Sequence, residues 1–111
     1  MAWTVDDVLS NMTLTDAKIY VREVTFHLGD LSPRIRIRLF RRPGDKEIYF
    51  EQSHLIQTPD LASPYVPRVK SDSNEAYALS HAIEGLTHCY DAAVMNGHEP
   101  SDAWLKQNED F

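Results

Sequence analysis

"RIRIRLF", residues 34–40, alternates guanidinium groups with aliphatic side chains: Arg34, Arg36 and Arg38 fall on one parity, Ile35, Ile37 and Leu39 on the other. A period of two is that of a β-strand, whose successive side chains leave opposite faces of the sheet. The stretch therefore predicts a strand with its aliphatic side toward a core and its arginine side toward water.

The flanking segments extend this strand into a sheet. Upstream, residues 18–28 are rich in β-branched and aromatic side chains, with Val24, Phe26 and Leu28 sharing a face, and "GDLSP" supplies turn chemistry before Arg34. Downstream, "RRPGDK" offers Pro43-Gly44 for the centre of a turn, and "EIYFEQ" returns as a third strand. A tight two-residue turn would set Ile37 opposite Phe50 and Leu39 opposite Ile48 on the inner side. On the outer side it would set Arg36 opposite Glu51 and Arg38 opposite Tyr49. A four-residue loop before Arg34 would bring Glu23 beside Arg38. Glu23, Glu47 and Glu51 thus interleave with the arginines, and cross-strand opposite charges stabilise pairing by roughly 0.2–1 kcal/mol each.

The second half is helical. "SDSNEAYALSHAIEGLTHCYDAAVMNG" has Asp72 or Ser73 as a cap, Glu75 in capping-box spacing from Asp72, and Asn96-Gly97 as a left-handed stop, predicting a helix over 74–96. Its large apolar residues, Leu79, Ile83, Leu86, Tyr90 and Val94 with Ala76 and Ala93, define the arc expected on the sheet. Beside them Ala78, Ala82, Gly85, Cys89 and Ala92 form a strip of small residues, suited to close approach by another part of the chain or by a second copy in a homodimer. Two short helices complete the order. One follows Thr4, with Asp7 in capping-box position and Val5, Val8, Leu9 and Met12 on one side; the other follows Ser101, with Trp104 and Leu105 as anchors. Trp3 and Trp104 are both expected as core or staple residues.

The expected fold is therefore α+β: a three-stranded antiparallel meander packed on one long C-terminal helix, with short helices at both ends. It forms a single domain over 1–111, with a sheet half at 1–57, a proline-bearing crossover at 58–73 and a helical half at 74–111. In the crossover "SPYVPRVK", Leu61, Tyr65 and Val66 can plug the core, or Tyr65, Arg68 and Lys70 can serve a surface function.

A chain of 111 residues with 42% apolar content can build a core without staples. Cys89 is the only cysteine, no basic-then-apolar leader opens the chain, and no apolar run nears the ~20 residues of a membrane span. The expectation is a cytoplasmic protein without a membrane partner. The charge of −6 is uneven: residues 1–70 carry ten Lys/Arg against nine Asp/Glu, and residues 71–111 carry one Lys against eight acids. An acidic C-terminal third repels phosphate and steers toward basic partners. The order helix, three strands, helix is shared with double-stranded-RNA-binding domains, but those need basic residues at the start of the last helix, where this chain reads "SDSNEAYA".

Three functional classes follow. The leading one is a non-catalytic protein-interaction module, inhibitor-, immunity- or chaperone-like. It would use either the acidic helical surface or a sheet face with Arg34, Arg36, Arg38, Tyr49 and Glu51, alongside Tyr65 and Arg68 of the crossover. The alternative is a small-ligand or metal-binding protein or enzyme using His81, Glu84 and His88, with Asp91 on the same polar arc and His27 or His54 from the sheet. Glu84 and His88 have i,i+4 spacing, but His81 and His88 stand about 10.5 Å apart along the axis. The third is nucleic-acid binding through the Arg34–Arg42 strand. No cofactor is expected: none of the four glycines is spaced to cradle a phosphate, and Cys89, in mid-helix, lacks the helix N-terminus that activates a thiol.

Overall fold

The computed structural model describes residues 3–111. Its elements are α1 (Val5–Leu9), β1 (Ile19–His27), β2 (Arg34–Arg41), β3 (Ile48–Gln52), β4 (His54–Ile56), β5 (Ser71–Asp72), α2 (Glu75–Met95), a 3₁₀ turn (Asp102–Trp104) and β6 (Leu105–Gln107). The architecture is α+β, an antiparallel sheet covered on one face by the long α2. The meander is extended beyond expectation: the sheet runs β1-β2-β3-β5, and β4 pairs with β6 in a separate two-stranded ribbon. Among the described residues no helix is long and apolar enough to cross a membrane.

The parity of residues 34–40 is as the alternation predicts. Ile35, Ile37 and Leu39 are wholly buried, while Arg34, Arg36 and Arg38 lie on the other face. Glu23 pairs with Arg38 across β1 and β2.

The β2–β3 register differs from the expected one by two residues. Ile37 stands opposite Gln52, Arg38 opposite Glu51, Leu39 opposite Phe50 and Phe40 opposite Tyr49. The cause lies in the loop. Asp45 N–H donates to Arg42 O at 3.0 Å, so Pro43-Gly44 do form the predicted turn, with Gly44 at φ +77°. Asp45 then adds a turn of its own, its carboxylate accepting from Glu47 N–H at 2.9 Å and Tyr49 Oη at 2.7 Å. Two residues are absorbed, and because a slip of two preserves parity the inner and outer sets are unchanged.

α2 is capped by Asn74, whose side chain accepts from Tyr77 N–H, rather than by Asp72 or Ser73. It ends in a Schellman motif, with His98 N–H donating to Ala93 O and Gly97 N–H to Val94 O, each at 3.0 Å, and Gly97 at φ +87°. Its buried residues are Ala78, Ala82, Leu86 and Ala93, with Cys89 partly buried on the same stripe. The buried face is thus rotated by about 75° from the arc of large residues, at 100° per residue. Ala76 and Val94, expected on the sheet, are exposed. The sheet explains the rotation. Its inner face is filled by branched side chains, so a helix reaches packing distance by turning small residues to the centre and large ones, Leu79 and Tyr90, to the flanks. Ala78 and Ala82 are wholly buried within the chain and Gly85 lies under the Tyr65 ring, so a homodimer seam through Ala78, Ala82, Gly85, Cys89 and Ala92 lacks the surface it would need.

Both chain ends depart from expectation. α1 carries the predicted capping box between Thr4 and Asp7, yet it has no buried residue: Trp3 is 78% exposed, and Val5, Val8 and Met12 also face water. The structure is correspondingly long, 62 × 24 × 22 Å. The C-terminal segment forms a 3₁₀ turn and the strand β6 rather than a short helix, with Trp104 and Leu105 buried as anticipated.

Candidate functional site

The outer face of the sheet is an ion-pair lattice. Glu23 Oε1 accepts from Arg36 Nη2 at 2.7 Å and Arg38 Nε at 3.2 Å; burial pushes its carboxyl up, but the two guanidinium bonds outweigh this and hold it below its ordinary value. Glu51 accepts from Lys18 Nζ at 3.3 Å and Tyr20 Oη at 2.8 Å. Arg41 binds Asp6 through both terminal nitrogens, Arg42 binds Asp16 at 2.7 Å, and Arg34 reaches Thr25 Oγ1. Phe40, on the arginine parity, is only 5% exposed. It stacks on Tyr49 at 5.5 Å beneath Lys18 and Arg42. Phe111 closes the lattice, its ring 4.1 Å from the Arg38 guanidinium carbon.

The carboxylates in this lattice have a consequence for acid stability. Hydrogen bonds from Arg41 and Gly44 hold Asp6, and a hydrogen bond from Arg42 holds Asp16, below the ordinary 3.8. The folded state then binds these protons less readily than the unfolded chain, so their contribution is complete above pH about 5 and is lost as pH falls through 3.8 and below. The urea midpoint should drop clearly between pH 5 and pH 3, beyond the smaller decline that His54, whose charged form is disfavoured by burial, adds as pH falls below about 6.5. A flat profile would show that these pairs add nothing to folding.

A second site lies where the crossover meets α2. Two backbone bonds tie the crossover down, Tyr65 N–H to Ile56 O at 2.8 Å and Phe50 N–H to Lys70 O at 3.0 Å, and Pro64 and Pro67 keep the stretch between them extended. A groove of about 540 Å³ opens between this stretch and the helix, lined by Tyr65, Arg68, His81, Glu84, His88 and Asp91 among others. These six residues, singled out in two separate segments of sequence, therefore share one site. Gly85 is its floor: a Cβ there would come within 2.8 Å of the Tyr65 ring. Tyr65 and Val66 stay 39% and 52% exposed, so neither plugs the core, and Tyr65 edges the groove.

Within the groove His81 Nε2 lies 3.1 Å from Asp72 Oδ2, and this bond, first among the causes, holds the Asp72 carboxyl below its ordinary value. That partnership was not foreseen, because Asp72 sits in a two-residue strand too short to show periodicity. Glu84 accepts from Ser80 Oγ. Among the described residues no ion pair engages Glu84 or Asp91.

The sheet histidines, His27 and His54, do not join His81 and His88 in the groove. His27 Nδ1 lies 3.2 Å from Leu31 O, and His54 Nδ1 lies 2.8 Å from Ser53 Oγ beyond the far end of β3. Among the described residues no three His, Cys, Asp or Glu side chains are grouped to hold a metal ion. Cys89 packs against the core, where burial raises its thiol pKa and keeps the nucleophilic thiolate scarce.

Comparison with protein families, with curated proteins and with solved structures finds no match.

Proposed function

We propose that the protein is a non-catalytic interaction module that presents the groove side of α2 to a basic segment of a partner protein. The observation that carries this reading is the unequal use of charge on the two surfaces. On the sheet, Arg36, Arg38, Arg41 and Arg42 are bound to carboxylates of the same chain, so a partner would have to displace existing pairs. On α2, Glu84 and Asp91 take part in no ion pair among the described residues, Arg68 is the one Lys or Arg in the groove lining, and Tyr65 and Pro67 offer apolar contact. An acidic surface beside an aromatic edge suits a Lys- or Arg-bearing peptide whose stem lies on Tyr65. The same asymmetry weakens the nucleic-acid reading, since only Arg34 of the strand arginines lacks an acidic partner among the described residues.

The test is charge reversal read against a panel of short basic peptides. Glu84→Lys with Asp91→Lys should weaken binding at least about tenfold, or ~1.4 kcal/mol, whereas Arg34→Glu on the sheet should leave it unchanged. Binding that is absent in the native protein, or that is equally affected by both changes, would overturn the proposal.

A further inference from the structure

β1 is a nine-residue strand at the edge of the sheet, with β2 on one side and, among the described residues, no strand on the other. The direction of its free backbone groups follows from its neighbour. Arg36 exchanges hydrogen bonds with Ser53, its N–H going to Ser53 Oγ at 2.8 Å and its C=O accepting from Ser53 N–H at 2.9 Å, so its backbone points away from β1. Thr25 is opposite Arg36, and in an antiparallel ladder such a pair turns both backbones outward. The N–H and C=O groups of Thr25, and by alternation those of Glu23 and His27, therefore face the open edge.

The edge has few of the features that discourage pairing. It contains no proline and no lysine, and its bulge, at Val21, leaves Arg22–His27 regular. Arg22, the one charge on the inner side, is drawn aside to Glu75. On that inner side Val24 and Phe26 are only partly buried, although Ile35 and Ile37 beside them on β2 are at 0% exposure.

We propose that β1 pairs with β1 of a second copy, antiparallel about a two-fold axis at Thr25, to form one continuous sheet. This register is self-complementary on both faces. Val24 stands opposite the partner's Phe26 on the inner side, and Glu23 opposite the partner's His27 on the outer side, with the His27 Nε2 left free by the bond of Nδ1 to Leu31 O. Every outward N–H and C=O of Glu23, Thr25 and His27 meets a mate. Moving the axis to Val24 would instead set Arg22 against Phe26 and His27 against the bulged Val21, losing hydrogen bonds and mixing charge with apolar surface. The groove is lined by the crossover and by α2 and by no residue of β1, so pairing through β1 is independent of the binding function proposed above.

Light scattering of the native protein across micromolar concentrations should give the mass of a dimer. Thr25→Pro should give a monomer with an unchanged circular dichroism spectrum, because the N–H it removes takes no part in the pairing with β2. Should that variant fail to fold, Thr25→Asp, which sets two carboxylates face to face across the axis, should give the same loss of dimer. Register is read by oxidation in a Cys89→Ser background. Thr25→Cys should cross-link into a dimer, its Cα atoms being about 5.5 Å apart. Glu23→Cys should not, since the two copies of residue 23 are offset by about 13 Å. A monomeric native protein at high concentration, a dimer that survives Thr25→Asp, or equal cross-linking at 23 and 25 would overturn the proposal.

Discussion

Replacing Ile37 by alanine should lower the unfolding free energy by about 3–4 kcal/mol, read as a shift of the urea midpoint at constant slope. Ile37 is wholly buried, in the middle strand, between Val24 on β1 and Gln52 on β3. Truncation removes buried methyl groups and leaves a cavity that the surrounding β-ladder cannot close by moving one strand alone. The total stability of a domain this size is about 5–15 kcal/mol, so a single residue accounts for a large share of it. Val5→Ala is the control: Val5 is 60% exposed, and the change should stay within about 0.5 kcal/mol. A loss at Ile37 no larger than at Val5 would mean that the aliphatic side of residues 34–40 is not the core.

The second large effect is expected at Gly29, where alanine should cost about 2–5 kcal/mol. Gly29 has φ +56°, a left-handed conformation that costs a residue with a Cβ about 1–2 kcal/mol. The added methyl would also strike the Tyr90 ring, coming within 2.9 Å of its Cζ, and forcing that ring aside adds an overpacking penalty of about 1–3 kcal/mol. Tyr90 packs edge-on against Trp104 at 5.8 Å, so the displacement would spread to the buried end of the chain. Gly97→Ala separates the two contributions, because Gly97 has φ +87° and nothing within 4 Å of the position a Cβ would take. It should show the backbone cost alone. Equal losses at the two glycines would remove Tyr90 from the explanation.

What the sequence discloses of this fold is whatever repeats along a single element. The parity of residues 34–40 places a core on one side because a strand has only two faces. Thr4 with Asp7, and Asn96 with Gly97, mark helix ends through bonds between near neighbours. What it conceals depends on distances between elements. The β2–β3 register turned on a side-chain bond from Asp45 that adds two residues to a correctly read turn. The buried side of α2 was misplaced because hydrophobicity favours large residues, whereas a sheet filled with isoleucine and leucine demands small ones opposite. Trp3 was expected inside on its chemistry alone, and no local pattern shows that the segment bearing it leaves the body of the molecule.

The candidate site follows the same division. Tyr65 and Arg68 were noticed in the crossover, and His81, Glu84 and His88 on the helix, each from local composition. That they line one groove depends on where a proline-bearing connection lies down, which periodicity does not encode. Asp72 beside His81, and Phe111 over Arg38, join residues far apart in sequence through single contacts, and neither leaves a signal in the string.

The fastening of α1 has a dynamic consequence. No residue of the helix is fully buried, Leu9 being half-buried, and its polar tie to the sheet is the cluster of bonds that Arg41 and the Gly44 N–H make to the Asp6 carboxylate. An element secured by charge rather than by apolar burial opens on its own, at a small fraction of the global free energy, and loosens further as salt screens the clamp. Backbone amides of α1 should thus exchange with solvent through a local fluctuation that leaves α2 and the central strands closed, carrying the exposed Trp3, Val5 and Val8 with it.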